Sequence, residues 1–104
     1  LTAPFENVSV HTCNTLVVDY CKTVGAKVLL RGIRNANDFS YEFDLSLMNR
    51  SLNPGVETLF VPTEQRFFLI RSSSIKEVAR FGGDVSGMVP AMVAEAIREK
   101  YRAV

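Results

Sequence analysis

The sequence predicts an α/β fold in which helices flank a parallel β-sheet. Two observations carry that reading. Short apolar runs alternate with longer segments whose apolar residues recur at helical spacing, and glycine, proline or asparagine stands at most of the joints. That order is the pattern of strands joined by crossover helices. Composition agrees, since the 104 residues are 47% hydrophobic and 22% charged, a balance that supports one modest core. Twelve Lys and Arg against 11 Asp and Glu leave a net charge of +1. That lacks the excess of a nucleic-acid arm or a polybasic membrane patch. No apolar run approaches the roughly 20 residues of a membrane span.

Each element has its own signal. Asn7–Val10 reads as a short strand with Val8 and Val10 on one face. Asn14 is placed to cap a helix running to Val24, where Leu16, Val17, Tyr20, Cys21 and Val24 recur at helical spacing and Gly25 is the stop. Lys27–Leu30 reads as a buried parallel strand, followed by a turn, Arg31-Gly32-Ile33-Arg34. A long helix starts near Asn35–Asp38 and reaches Leu52, with an apolar stripe of Phe39, Phe43, Leu47 and Met48. Asn53-Pro54-Gly55 ends it. Glu57–Val61 is a third strand closed by Pro62, and Thr63–Arg71 is irregular. Ser74-Ile75-Lys76-Glu77 has the form of a capping box, opening a helix that Gly82-Gly83 halts. Pro90 suits the first turn of a last helix reaching Arg102, with Met92, Ala96 and Tyr101 inward.

Cysteine and histidine offer little chemistry. Cys13 and Cys21 read as free thiols of a reducing compartment. His11 stands outside any Cys-x-x-Cys or His-x-x-x-His context, so no zinc site is expected.

In parallel sheets ligands gather beyond the carboxyl ends of strands, which points to the loops after Val10, Leu30 and Val61. Arg31 and Arg34 around Gly32 outline an anion site, because arginine grips phosphate bidentately and a helix start follows. They are equally readable as a solvated surface turn. Ser72, Ser73 and Ser74 offer hydroxyls and free N–H groups at a helix mouth, with Arg71 and Lys76 adding positive charge. Alone, these are an N-cap with spare serines. Together the two segments favour a polyphosphate ligand. Asp38 and Glu42, four residues apart, share a helix face; a metal site, an acid–base pair or support for the helix start are all open. There is no Walker loop, no Gly-x-Gly-x-x-Gly, no nucleophile elbow, and nothing that pairs a nucleophile with a base.

The run Arg31-Gly32-Ile33-Arg34-Asn35-Ala36-Asn37-Asp38-Phe39-Ser40-Tyr41-Glu42 resembles a segment of bacterial phosphopantetheine adenylyltransferase. Met48-Asn49-Arg50 follows at that family's spacing, as do Ser72-Ser73-Ser74-Ile75-Lys76-Glu77-Val78 and Gly83-Asp84-Val85. The resemblance runs from about Asn7 to Tyr101. It implies a Rossmann-like nucleotidylyltransferase fold. It also implies adenylyl transfer from ATP to phosphopantetheine, giving dephospho-coenzyme A and pyrophosphate in coenzyme A biosynthesis. In that reaction the acceptor phosphate attacks the α-phosphate in line, with Mg²⁺ and no covalent enzyme intermediate, as the missing nucleophile suggests. Further implications are a cytoplasmic homohexamer, feedback by coenzyme A, and neither nucleic acid nor membrane as partner.

By the same resemblance, Arg31, Val17, Leu45 and Asn49 match positions that face phosphopantetheine. Gly32, Ile33, Arg34 and Glu42 match the ATP site, as do Phe68, Leu69, Ile70, Arg71, Ser72, Ser73 and Ser74 around the triphosphate. Arg71 departs from the family, which usually has an apolar residue there. The His-x-Gly-His motif that stabilises the family's transition state is absent from this sequence, so no catalytic residue is assigned. Residues 1–104 are therefore expected to be the carboxy-terminal portion of a single nucleotidylyltransferase domain, inactive alone. Its Lys27–Leu30 strand would keep an open edge and its Asn7–Val10 segment would have no neighbour. The alternative is a truncated, non-catalytic nucleotide- or coenzyme A-binding module.

Overall fold

A computed structural model describes residues 1–102. The element order is α1 (Val17–Val24), β1 (Val28–Ile33), α2 (Ala36–Leu52), β2 (Glu57–Pro62), a 3₁₀ turn (Gln65–Phe67), α3 (Ser72–Arg80) and α4 (Ala91–Tyr101). This is an α/β chain with a parallel two-stranded sheet and flanking helices, the class that the sequence predicts. It divides into two compact units. Phe5–Phe68 holds the sheet with α1 and α2; Leu1–Pro4 and the residues from Leu69 onward hold α3 and α4.

In the sheet unit, the strand expected at Asn7–Val10 does not form. A strand exists by pairing, and among the described residues no other strand lies against this segment, whose backbone bond there is the turn from Val8 N–H to Phe5 O at 3.3 Å. The helix expected from Asn14 starts later, at Val17, with extended Leu16 as its cap. The preceding polar side chains bond loop carbonyls instead, Cys13 Sγ to Thr15 O and Thr15 Oγ1 to Leu16 O. The stop is as expected: Gly25 takes φ 72°, where a Cβ would be strained.

Strands β1 and β2 pair in parallel, from Val28 opposite Glu57 to Ile33 opposite Pro62. Pairing continues past Leu30, so Arg31, Gly32 and Ile33 lie in the strand and not in a turn. Phe60, Val61 and Pro62 hold that backbone extended. Nor is β1 buried on both faces, as its apolar run suggested. Leu29, Thr58 and Phe60 face α2 and are half-buried, whereas Val28, Leu30, Leu59 and Val61 point the other way and stay exposed.

Helix α2 has the cap its sequence announces: Asn35 Oδ1 accepts the Asp38 N–H at 2.9 Å. Its stripe of Phe39, Phe43, Leu47 and Met48 remains exposed, although Phe39 sets its ring edge-on against Phe60 with centroids 5.5 Å apart. At the far end, Asn53 Nδ2 donates to Val18 O at 3.2 Å and its Oδ1 accepts the Gly55 N–H at 3.1 Å. One asparagine thus closes the turn and ties it to α1, which buries Val18 and Cys21.

The helical unit has its own small core of Ile75, Val85 and Ala94, with Ile70, Val78, Ala79, Val89 and Ile97 packed around it. Helix α3 begins at Ser72, capped by the Arg71 backbone alone, so Ser74 and Glu77 are already helical and form no capping box. On α4, Ala94 is buried and Val93, Ile97 and Tyr101 are half-buried, while Met92 is 67% exposed and Ala96 is exposed too. Ala94 and Ile97, three residues apart on one helix face, are the α4 residues packed in that core.

Candidate functional site

The most organised polar cluster in the sheet unit grows from β1 and α2. Strand alternation puts Leu29 and Arg31 on the face that α2 covers. Helical spacing puts Glu42, Leu45, Ser46 and Asn49 on one side of α2. Together with Val17 at the start of α1 and Thr58 of β2, these residues line a recess of about 50 Å³. Within it Glu42 takes Arg31 in a side-on fork: Nε donates to Oε2 at 2.8 Å and Nη2 donates to Oε1 at 2.7 Å. The guanidinium lowers the Glu42 carboxyl below its ordinary range, chiefly through that hydrogen bond, and Arg31 is raised in turn by the same bond. Glu42 is the inner partner, its side chain 13% exposed against 48% for Arg31.

A second arginine is fixed where α2 begins. Asp38 Oδ2 accepts from both the Arg34 backbone N–H at 3.2 Å and Arg34 Nε at 2.9 Å. Both side chains are half-buried. The two carboxylates that share a face of α2 therefore each hold one arginine of the Arg-Gly-Ile-Arg segment. Among the described residues, no three His, Cys, Asp or Glu side chains converge as a metal site would require.

In the helical unit, Ser72, Ser73 and Ser74 form the first turn of α3. The first internal bond there is Ile75 N–H to Arg71 O at 2.9 Å, which leaves the three serine amides as orphan donors. Their hydroxyls bond no described residue. Beside them Leu69, Ile70, Arg71 and Ser74 border a hollow of about 420 Å³ with Ile75, Val78 and Met88. Ser72 and Ser73 do not line it. Phe68 belongs to the sheet unit, where it follows the 3₁₀ turn.

No family model matches the chain. Individual relatives do. Phosphopantetheine adenylyltransferase of Staphylococcus carnosus is 46% identical over 99 residues, 95% of this chain and 62% of that protein. The same-named protein of Treponema pallidum is 49% identical over 94 residues, 90% of this chain and 59% of its own length. That of Staphylococcus haemolyticus is 44% identical over 97 residues, covering 93% and 60%. The chain is a relative of the phosphopantetheine adenylyltransferases. It spans about three-fifths of the length of those relatives.

Set beside phosphopantetheine adenylyltransferase, the recess has a clear composition. Val17, Arg31, Leu45 and Asn49, the four residues that the resemblance turns toward phosphopantetheine, all line it. Glu42, which the resemblance turns toward ATP, stands with them. Gly32 lies on the opposite face of β1 from Arg31, and Ile33 ends the strand. Leu29, Ser46 and Thr58 also line the recess and were not singled out from the sequence. Each had a signal: Leu29 is two residues before Arg31, Ser46 is four after Glu42, and Thr58 is the register partner of Leu29. Asp38 as the partner of Arg34 is a further residue that spacing left among alternatives.

Proposed function

We propose that this chain provides acceptor- and nucleotide-binding walls of an enzyme that transfers the adenylyl group of ATP to phosphopantetheine. The products are dephospho-coenzyme A and pyrophosphate. The observation that carries the reading is the recess: Arg31 beside Val17, Leu45 and Asn49 joins one fixed cation to apolar and amide surface. A pantetheine arm ending in phosphate has that same sequence of chemistries. Supporting it are the orphan amides of Ser72–Ser74, a suitable cradle for triphosphate oxygens, and the relatives' shared name.

On this reading catalysis is positioning and charge stabilisation. Arg31 holds the acceptor phosphate and Arg34 holds the nucleotide. The acceptor phosphate oxygen forms the new bond to the α-phosphorus, and the bond to the bridging oxygen breaks as pyrophosphate leaves. The described residues do not themselves make a magnesium cage, because Asp38 and Glu42 are each engaged by an arginine. Mg²⁺ is assigned to the substrate, as Mg·ATP. A cytoplasmic homo-oligomer, hexameric and inhibited by coenzyme A, belongs to the same proposal.

The test is pyrophosphate release from ATP and phosphopantetheine by the protein that carries this chain. Release that requires both substrates is expected. Binding of ATP or coenzyme A by calorimetry without release would replace the enzyme by a non-catalytic binding module. Absence of both would remove the proposal.

A further inference from the structure

We infer that Glu42 is a positioning residue: its carboxylate aims the Arg31 guanidinium so that its end-on fork is presented to the phosphate of the acceptor substrate. The inference rests on the proposed function and gives Glu42 a role toward the acceptor substrate through Arg31.

The geometry makes the argument. A guanidinium has two bidentate edges, side-on through Nε and one terminal nitrogen, and end-on through both terminal nitrogens. Glu42 takes the side-on edge of Arg31 with both of its oxygens. Nη1 bonds no described residue, and the guanidinium is the more exposed partner, so the end-on edge is what faces outward. Each oxygen of the carboxylate accepts one N–H of the arginine, and Glu42 is half-buried behind it. An arginine side chain left loose at that exposure would lose its rotamer freedom each time substrate bound. Pinned in advance, it loses that freedom on folding.

Charge and orientation predict opposite signs here. A carboxylate beside an anion site weakens attraction for phosphate through its charge. If charge dominated, neutralising Glu42 would tighten acceptor binding. If orientation dominates, as inferred, neutralising it loosens binding, because an amide cannot accept both forked N–H groups.

The experiment uses the protein that carries this chain, with Glu42→Gln, Arg31→Ala and the double variant. Kinetics give KM for each substrate, and calorimetry gives Kd for phosphopantetheine. Glu42→Gln is expected to raise KM and Kd for phosphopantetheine roughly tenfold, the scale of one charge-assisted hydrogen bond. KM for ATP stays within about twofold, and in the Arg31→Ala background Glu42→Gln has no further effect. Glu42→Asp, which keeps the fork on a shorter stem, falls between parent and Glu42→Gln, and it supplies the readout if Glu42→Gln does not fold. Tighter acceptor binding in Glu42→Gln overturns the inference. So does a raised KM for ATP alone, or additivity with Arg31→Ala. Calorimetry separates this from the proposed function. A parent that binds phosphopantetheine without turnover, yet loses affinity in Glu42→Gln, removes the activity and keeps the inference. A parent that turns over normally while Glu42→Gln changes nothing removes only the inference.

Discussion

Gly83 is where a single methyl group meets the least room. A Cβ built there falls 2.5 Å from Val78 Cγ1 and 3.0 Å from the Val78 carbonyl oxygen. Neither atom yields easily. Val78 is β-branched and stiff at χ1, and it packs against the core of Ile75, Val85 and Ala94. Its carbonyl accepts the Gly83 N–H at 2.8 Å, which draws the two backbones together where α3 ends. Gly83→Ala is therefore an overpacking substitution, expected to cost about 1–3 kcal/mol. With a urea m-value of roughly 1–3 kcal/mol per molar, the midpoint of the helical unit falls by about 1 M. Urea titration followed by far-UV circular dichroism measures this, with Gly87→Ala as the matched control. A Cβ at Gly87 meets nothing within 4 Å, and its φ is not positive. That variant is expected to be neutral or to gain a few tenths of a kcal/mol. Adding Val78→Ala to Gly83→Ala removes the nearer clash, so the double variant is less destabilised than the sum of the singles. A Gly83→Ala midpoint equal to that of Gly87→Ala would refute the steric reasoning.

Three more outcomes follow from the structure. Asn35→Ala removes the acceptor that caps α2 and should cost about 0.5–2 kcal/mol, read as a lower urea midpoint; Asn35→Ser, which restores a capping oxygen, should recover most of it. The depressed carboxyl of Glu42 contributes stability that is complete above its unfolded value near 4.5 and drains away as pH falls through the lower folded value. The stability difference between parent and Glu42→Gln should therefore shrink between pH 6 and about pH 3; an unchanged difference across that window contradicts the pairing. On the proposed function, Arg34→Ala in the protein that carries this chain should weaken ATP binding by roughly 1.5–3 kcal/mol, seen by calorimetry as a tenfold or greater rise in Kd; unchanged affinity removes Arg34 from the proposed nucleotide wall.

Much of this chain is decided locally and could be read from the sequence alone. Asn35, Gly25 and Gly82 set helix boundaries through one side-chain acceptor and two left-handed backbone positions, effects that need only near neighbours. The short apolar runs that become β1 and β2, and the four-residue spacing that puts Asp38 and Glu42 on one face of α2, are likewise local properties of the chain. What failed were statements that depend on partners. Asn7–Val10 has a strand's pattern and, among the described residues, no strand beside it. The apolar run of β1 promised two covered faces, and α2 covers one. Arg31 looked like a turn residue because pairing with Phe60 is invisible in a linear sequence.

The same division holds at the site. Sequence alone determined which side chains could carry the chemistry: two arginines, two carboxylates on one helix face, and three serines at a helix mouth. Only the tertiary structure decided their pairing. Asp38 holds Arg34 across only four residues at the start of α2, whereas Glu42 reaches Arg31, eleven residues away, because β1 and α2 lie against each other. Which carboxylate meets which arginine depends on strand register and helix rotation. Those are set by packing between elements, which no local propensity encodes.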